Sequence, residues 1–141
     1  MNYINTPFNY TGSKINLLEQ ILPEMDYSKN IFIDMFAGGG SVYTNILDKY
    51  EKILVNDIII ELIEIHKQFL ESDDIIQKTK NICPKKDDQE AFIKLRQSFN
   101  NDKTPEKLYA LMLSCTNNMM RFNQKFEFNQ TFGKRGFSEK T

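Results

Sequence analysis

The sequence contains no tryptophan, two cysteines, one histidine and four prolines, and no two prolines are adjacent. Cys83 and Cys115 do not form a CxxC pair, so neither a disulfide framework nor a four-cysteine zinc site is available. A reducing cytoplasm suits such a chain. The lone His66 rules out HExxH metal sites and leaves little for histidine-based triads. Its helical surroundings give it a surface or half-buried place. No apolar run approaches the roughly 20 residues of a membrane span, and the polar start, Met1 to Asn5, does not read as a signal peptide. A soluble, cytoplasmic protein with no membrane partner is expected. Charge of one sign is also missing: 18 Lys and Arg against 19 Asp and Glu give a net of -1. That excludes a uniformly basic nucleic-acid coat but leaves room for a local patch.

What the sequence does have is 141 residues, 40% hydrophobic and 12% aromatic, enough to fill one core with a small appendage. Leu17, Leu18, Ile21 and Leu22 follow Ser13 at helical spacing and predict a short helix stopped by Pro23. Ile31-Phe32-Ile33 reads as a strand covered on both faces. Gly38-Gly39-Gly40 ends it, and Ser41 opens a helical segment from Val42 to Leu47. Ile53-Leu54-Val55 repeats the strand pattern, and Ile59, Leu62, Ile63, Phe69 and Leu70 mark a longer helix. Strand, helix, strand, helix implies an α/β fold with a parallel sheet and right-handed crossovers. Residues 1–71 form this part. Residues 72–141 lose the strands and show helical patterns at Phe92, Leu95 and Phe99 and at Leu108, Leu111, Met112 and Cys115. Alternation of aromatic and polar residues near 122–132 predicts a β-hairpin.

Two features of the first part point to a ligand. Glycines directly after a strand let a ligand approach the backbone, and the free amides of a following helix form a partly positive mouth. Asp57 lies 19 positions after Gly38, at the end of the next strand, where nucleoside-binding sheets place an acidic acceptor for ribose hydroxyls. An ordinary tight turn and a helix N-cap are the plain alternatives. The glycines do not fit a clean GxGxxG, so they leave a dinucleotide and a sulfonium cofactor both open, and an NAD-dependent oxidoreductase fragment is a competing reading. Gly12-Ser13-Lys14 is not a phosphate loop, because the GxxxxGK[ST] order is absent and no strand precedes it.

With Tyr10-Thr11-Gly12-Ser13-Lys14, then Asp34-Met35-Phe36-Ala37-Gly38-Gly39-Gly40-Ser41, then Asn56-Asp57-Ile58, the chain resembles the Dam-type DNA adenine-N6 methyltransferases, especially the phage ones. The likeness covers nearly its whole length. It implies a Rossmann-like domain that binds S-adenosylmethionine (SAM), with an incomplete parallel sheet, followed by a helical target-recognition region. Tyr10 and Lys14 would hold the cofactor from the first segment. Asp34, Phe36, Gly38 and Gly40 would receive its methionine and adenosine parts, and Asp57 the ribose.

The second part adds an observation of its own. Only three basic residues are arginine, and Arg121 and Arg135 both fall in the last 21 positions. A guanidinium fork can donate twice to the O6 and N7 edge of guanine, which lysine cannot match. Residues 117–141 carry five basic and two acidic side chains, so the charge is locally positive. The resemblance makes Asn117 to Asn123 and Phe132 to Arg135 a target-recognition segment for GATC or a close relative in double-stranded DNA. Asn118, Met119, Arg121 and Arg135 become base-reading candidates, and Lys134 a phosphate contact. Phe126 and Phe128 are expected to pack the hairpin.

The family's catalytic tetrapeptide, Asp-Pro-Pro-Tyr, is absent from this sequence, so no catalytic residue is assigned. The expectation is the N-terminal, cofactor-binding and DNA-recognition portion of a restriction-modification-type methyltransferase, truncated before that motif, inactive alone and weak in holding SAM. A subunit of a split enzyme, whose second polypeptide brings the motif, and a non-catalytic SAM- and DNA-binding module are the alternatives.

Overall fold

The structure is a computed structural model that describes residues 3–6 and 8–138. It divides into two compact units, residues 1–63 and 64–141. Among the described residues no helix is long and apolar enough to cross a membrane.

The first unit is built on two parallel strands, β1 (Ile31–Asp34) and β2 (Lys52–Val55), with Ile31 opposite Lys52 and Asp34 opposite Val55. The ladder runs past both strand ends. Asn56 N donates to Asp34 O at 2.8 Å and Ala37 N to Asn56 O at 3.0 Å. Register therefore brings the residues after β1 beside those after β2, whatever their side chains.

Three expectations change here. The short helix before β1 is largely 3-10: a turn at Ile15–Leu17, the four-residue α1 (Leu18–Ile21), and a second turn at Leu22–Glu24. Pro23 has no amide to extend an α-helical ladder, so the helix cannot lengthen. Val42 to Leu47 likewise yields only a 3-10 turn at Tyr43–Asn45. β1 is not covered on both faces, for Ile31 and Ile33 are 53% and 51% exposed while Phe32 and Asp34 are half-buried. Among the described residues the two-stranded sheet is packed on one side only. Its packed side and the segments around it bury Phe8, Leu18, Ala37, Tyr43, Ile46 and Leu62.

The chain leaves the sheet through α2 (Ile60–Glu71) and enters a helical second unit of α3 (Asp74–Ile82), α4 (Gln89–Asn101) and α5 (Pro105–Ser114). The Asp88 carboxylate caps α4, accepting from Ala91 N at 2.9 Å. Phe92, Leu95 and Phe99, at spacings of three and four, form its buried stripe. Pro105 opens α5, where its missing amide costs nothing. Every residue from Leu108 to Ser114 is buried, and α3 and α4 both pack on this helix. Each fully buried Leu or Phe contributes about 1.5–3 kcal/mol of hydrophobic stabilisation. His66 is 4% exposed, so its place is interior and not at the surface or half-buried.

The expected hairpin near 122–132 is reduced to isolated antiparallel bridges, Phe122 with Phe128 and Cys115 with Phe132. Side chains of α4 and of Lys103, just beyond its end, hold one edge of this segment. Arg96 donates to Gln130 O at 3.0 Å, Asn100 to Phe128 O at 3.1 Å, and Lys103 to Phe126 O at 2.7 Å. Asn100 also accepts from Phe128 N at 2.8 Å. The other edge keeps short pairing across the turn, with Asn123 N donating to Glu127 O at 3.0 Å and Asn129 N to Arg121 O at 2.9 Å, so the hairpin is confined to residues 121–129.

Candidate functional site

In the first unit the register of β1 and β2 sets Gly38 against Asp57. Gly38 N donates to Asp57 Oδ2 at 3.0 Å, and Ile59 N to Asp57 Oδ1 at 3.1 Å. One carboxylate thus ties the glycine turn to the start of the segment leading into α2. Gly38 has φ +51, a left-handed conformation that side chains resist. Tyr10 supplies a second constraint, because a Cβ at Gly38 would lie 2.7 Å from Tyr10 Cε1, and one at Gly39 would lie 2.6 Å from Tyr10 Cβ. The two glycines are small because a tyrosine from the N-terminal segment lies on them.

That segment is fastened from the other side. Ser13 Oγ and Ser41 Oγ are 2.8 Å apart, and Lys14 N donates to Ser41 Oγ at 3.2 Å. Asn45 closes the arrangement further out, accepting from Ile4 N at 2.8 Å and donating to Ile4 O at 3.0 Å. The result is a hollow of about 230 Å³. Tyr10, Lys14, Asp34, Phe36, Gly38 and Asp57 all line it. Gly40 does not; with φ +83 it turns the chain, and its carbonyl accepts from Thr44 N and Oγ1. Thr11, Ser13, Gly39, Ser41 and Val42 also contribute walls that sequence reasoning did not single out. For Ser41 the signal was present, since it follows the glycine run directly.

The electrostatics of the hollow are mixed. Asp34 and Asp57 are half-buried, and Lys14 is exposed with its Nζ donating to Gly12 O at 2.7 Å. Burial, with the Asp57 carboxylate nearby, raises the Tyr10 hydroxyl above its ordinary range. Burial and Asp34 together push Tyr43 up to about 12. Phe36 is 90% exposed at the lip, an unusual placement for a large apolar ring. Carboxylate acceptors, hydroxyls, one ammonium and an open aromatic face suit a polar ligand with an aromatic part. Among the described residues no group of His, Cys, Asp and Glu is placed to hold a metal ion.

The second unit gathers the remaining candidates on residues 115–135. Arg121 is held by Asn129, its Nε donating to Asn129 Oδ1 at 2.9 Å and its Nη2 to Asn129 O at 3.0 Å. Arg135 Nη1 donates to Asn118 Oδ1, while Asn118 Nδ2 donates to Met112 O at 3.0 Å. Each arginine therefore has an asparagine that orients it. Asn117, Asn118, Phe126 and Lys134 all have positive φ, between 53° and 58°. Such conformations are uncommon for residues other than glycine and concentrate where a structure must present side chains in particular directions. Phe128 is buried edge-on to Phe99 and Phe122, as packing requires. Phe126 instead is 49% exposed at the tip of the turn, so the packing expectation fails for it. Met119 is 36% exposed, and Lys134 and Arg135 are exposed. Arg96, Asn100 and Lys103, which hold the segment from behind, carried no sequence signal beyond helix-compatible spacing.

Residues 10–140 match the family described as D12 class N6 adenine-specific DNA methyltransferases. The chain is 34% identical over 138 residues to the modification methylase StsI of Streptococcus sanguinis, and 32% identical over 139 residues to the type II methyltransferase M.FokI of Planomicrobium okeanokoites. Both alignments cover 94% of this chain and 21% of the relative, so the chain spans about a fifth of their length. It is 29% identical to a DNA adenine methylase of Serratia marcescens, over 89% of this chain and 47% of that protein. Because the family match takes in the glycine turn, the Asp57 brace and the arginine-bearing segment together, this chain belongs to the D12 class of N6 adenine-specific DNA methyltransferases.

Proposed function

We propose that the chain provides the cofactor-binding and DNA-recognition parts of a SAM-dependent DNA adenine-N6 methyltransferase with a GATC-like target. The first unit is its Rossmann-like SAM-binding part. The observation that carries this reading is the convergence of the Gly38 turn and the Asp57 carboxylate on one hollow that Tyr10 and Lys14 also line. The donor set fits the cofactor. Asp57 keeps lone pairs beyond the two spent on amides and can accept from ribose hydroxyls. Phe36 offers an exposed ring for the adenine, and Lys14, by leaving Gly12 O, can meet a carboxylate. When bound, SAM would supply the methyl group as a sulfonium.

In the second unit Arg121 and Arg135, held by Asn129 and Asn118, read base edges, and Lys134 sets register on the backbone. Equilibrium titration tests the cofactor half: SAM is expected to bind and to raise the unfolding temperature while NAD does neither. NAD binding without SAM binding would overturn it. Gel shifts with GATC and scrambled duplexes test the recognition half, where Arg135→Ala is expected to abolish the preference for GATC. Preference unchanged by that substitution removes Arg135 from base reading.

A further inference from the structure

We infer that Lys85 and Lys86, in the loop between α3 and α4, form with Lys134 a single phosphate-gripping strip for the backbone of duplex DNA, a strip that ends at the base-reading Arg135. The inference rests on the reading of residues 115–137 as the DNA-recognition segment, and it adds a part of the chain that the segment itself does not contain. Lys85 and Lys134 are about fifty positions apart, and only tertiary structure joins them. A Cβ at Gly136 would strike the Pro84 carbonyl oxygen and lie 3.5 Å from Lys86 N, so the two backbones touch there. A backbone hydrogen bond links Phe137 to the Cys83 sulfur, and Lys80 Nζ sits 5.8 Å from the centre of the Phe137 ring. Residue 83 thus meets 137 while 84 and 86 meet 136, which sets the two segments side by side in opposite directions. Continued one step, the pairing places Lys85 and Lys86 alongside Arg135 and Lys134.

All four side chains are exposed. Two carboxylates follow in the chain, Asp87 and Asp88, and Asp88 is turned onto the α4 N-terminus by its bond to Ala91 N. The setting is also electrostatically distinct: residues 64–141 carry 14 Lys and Arg against 11 Asp and Glu, while residues 1–63 carry 4 against 8. Lysines are point charges without the planar fork of arginine, which suits contacts that neutralise phosphates and fix register without reading letters. Arg135 stands where the strip meets the base-reading residues, through its bond to Asn118.

The strip is tested by the salt dependence of binding to a duplex of about 20 base pairs, in GATC and scrambled versions, measured by fluorescence anisotropy from roughly 50 to 200 mM NaCl. Each phosphate contact contributes about 0.9 to the slope of log affinity against log salt, so K85Q/K86Q is expected to flatten it by roughly 1.8. Across that salt range the wild-type advantage would shrink about 12-fold, equally for both duplexes. K85R/K86R should restore the slope. K94Q, whose ammonium pairs with Glu90 at 2.7 Å on the outer face of α4, should leave it unchanged. An unchanged slope in K85Q/K86Q, with a flattened one in K134Q, would overturn the strip and leave the recognition segment intact. Equal flattening by K94Q would also overturn it, in favour of diffuse attraction. Failure of the wild-type chain to bind either duplex at the lowest salt would defeat the recognition reading itself, and the strip with it.

Discussion

Asp57→Asn separates two jobs that one carboxylate performs. In the structure both oxygens are engaged by backbone amides, Oδ2 by Gly38 at 3.0 Å and Oδ1 by Ile59 at 3.1 Å. An asparagine keeps one acceptor oxygen and turns an NH2 toward the other amide, donor against donor. One hydrogen bond to a charged acceptor is lost, which costs about 2 kcal/mol. With a denaturant dependence of roughly 2 kcal/mol per molar for a chain of this size, the urea midpoint should fall by about 1 M. Ribose recognition should suffer separately, because an amide cannot accept from both hydroxyls while still holding an amide of the turn. The expected loss of SAM affinity in the folded fraction is at least about tenfold. Urea unfolding without ligand and calorimetric titration with SAM measure the two effects independently. A midpoint that does not move would refute the brace. A lower midpoint with unaltered SAM affinity would refute the ribose role and leave Asp57 as a scaffold residue only.

Other expectations concern single groups. Gly38→Ala forces a side chain into a left-handed backbone at about 1–2 kcal/mol and against Tyr10 Cε1 at 2.7 Å; Tyr10→Ala in the same chain should recover part of the lost thermal stability, and no recovery would show that Tyr10 is not the obstacle. Asn100→Ala leaves Phe128 N and O without their partner, a cost of roughly 2–4 kcal/mol, and should speed amide exchange at residues 126–130 before the rest of the second unit. Tyr43 is held neutral in the fold with its pKa near 12, so the unfolded chain loses that proton first and stability should decline from about pH 10 to 12. Tyr43→Phe should flatten that decline, and an equally steep loss in the variant would move its origin elsewhere. Burial pushes the Cys115 thiol up to about 11, so alkylating reagents at neutral pH should label it only on unfolding. Rapid labelling of the native chain would contradict its buried place.

The sequence by itself determined the strands, because Ile31 to Ile33 and Ile53 to Val55 are short apolar runs rich in β-branched residues with turn residues after each, and a parallel pair follows from the intervening crossover. It also determined the helical stripe of Phe92, Leu95 and Phe99, whose period admits no strand. The spacing of Gly38 and Asp57 was legible, and parallel register turned it into contact, since two strand ends in register must lie side by side. Backbone geometry decided what residue types could not. Pro23 and the bend at Gly40 left only 3-10 turns and the four-residue α1 where apolar spacing suggested helices. Alternation across 122–132 promised a hairpin, and backbone bonds cross it only between 121 and 129, while Arg96 and Asn100 of α4 and Lys103 beyond it hold the carbonyls of 130, 128 and 126. Packing of Tyr10 on Gly38 and Gly39, the fastening of Arg121 by Asn129 and of Arg135 by Asn118, and the meeting of Pro84 with Gly136 are contacts between separate positions. A local pattern carries no information about such contacts, because they exist only once the core has fixed where each segment lies.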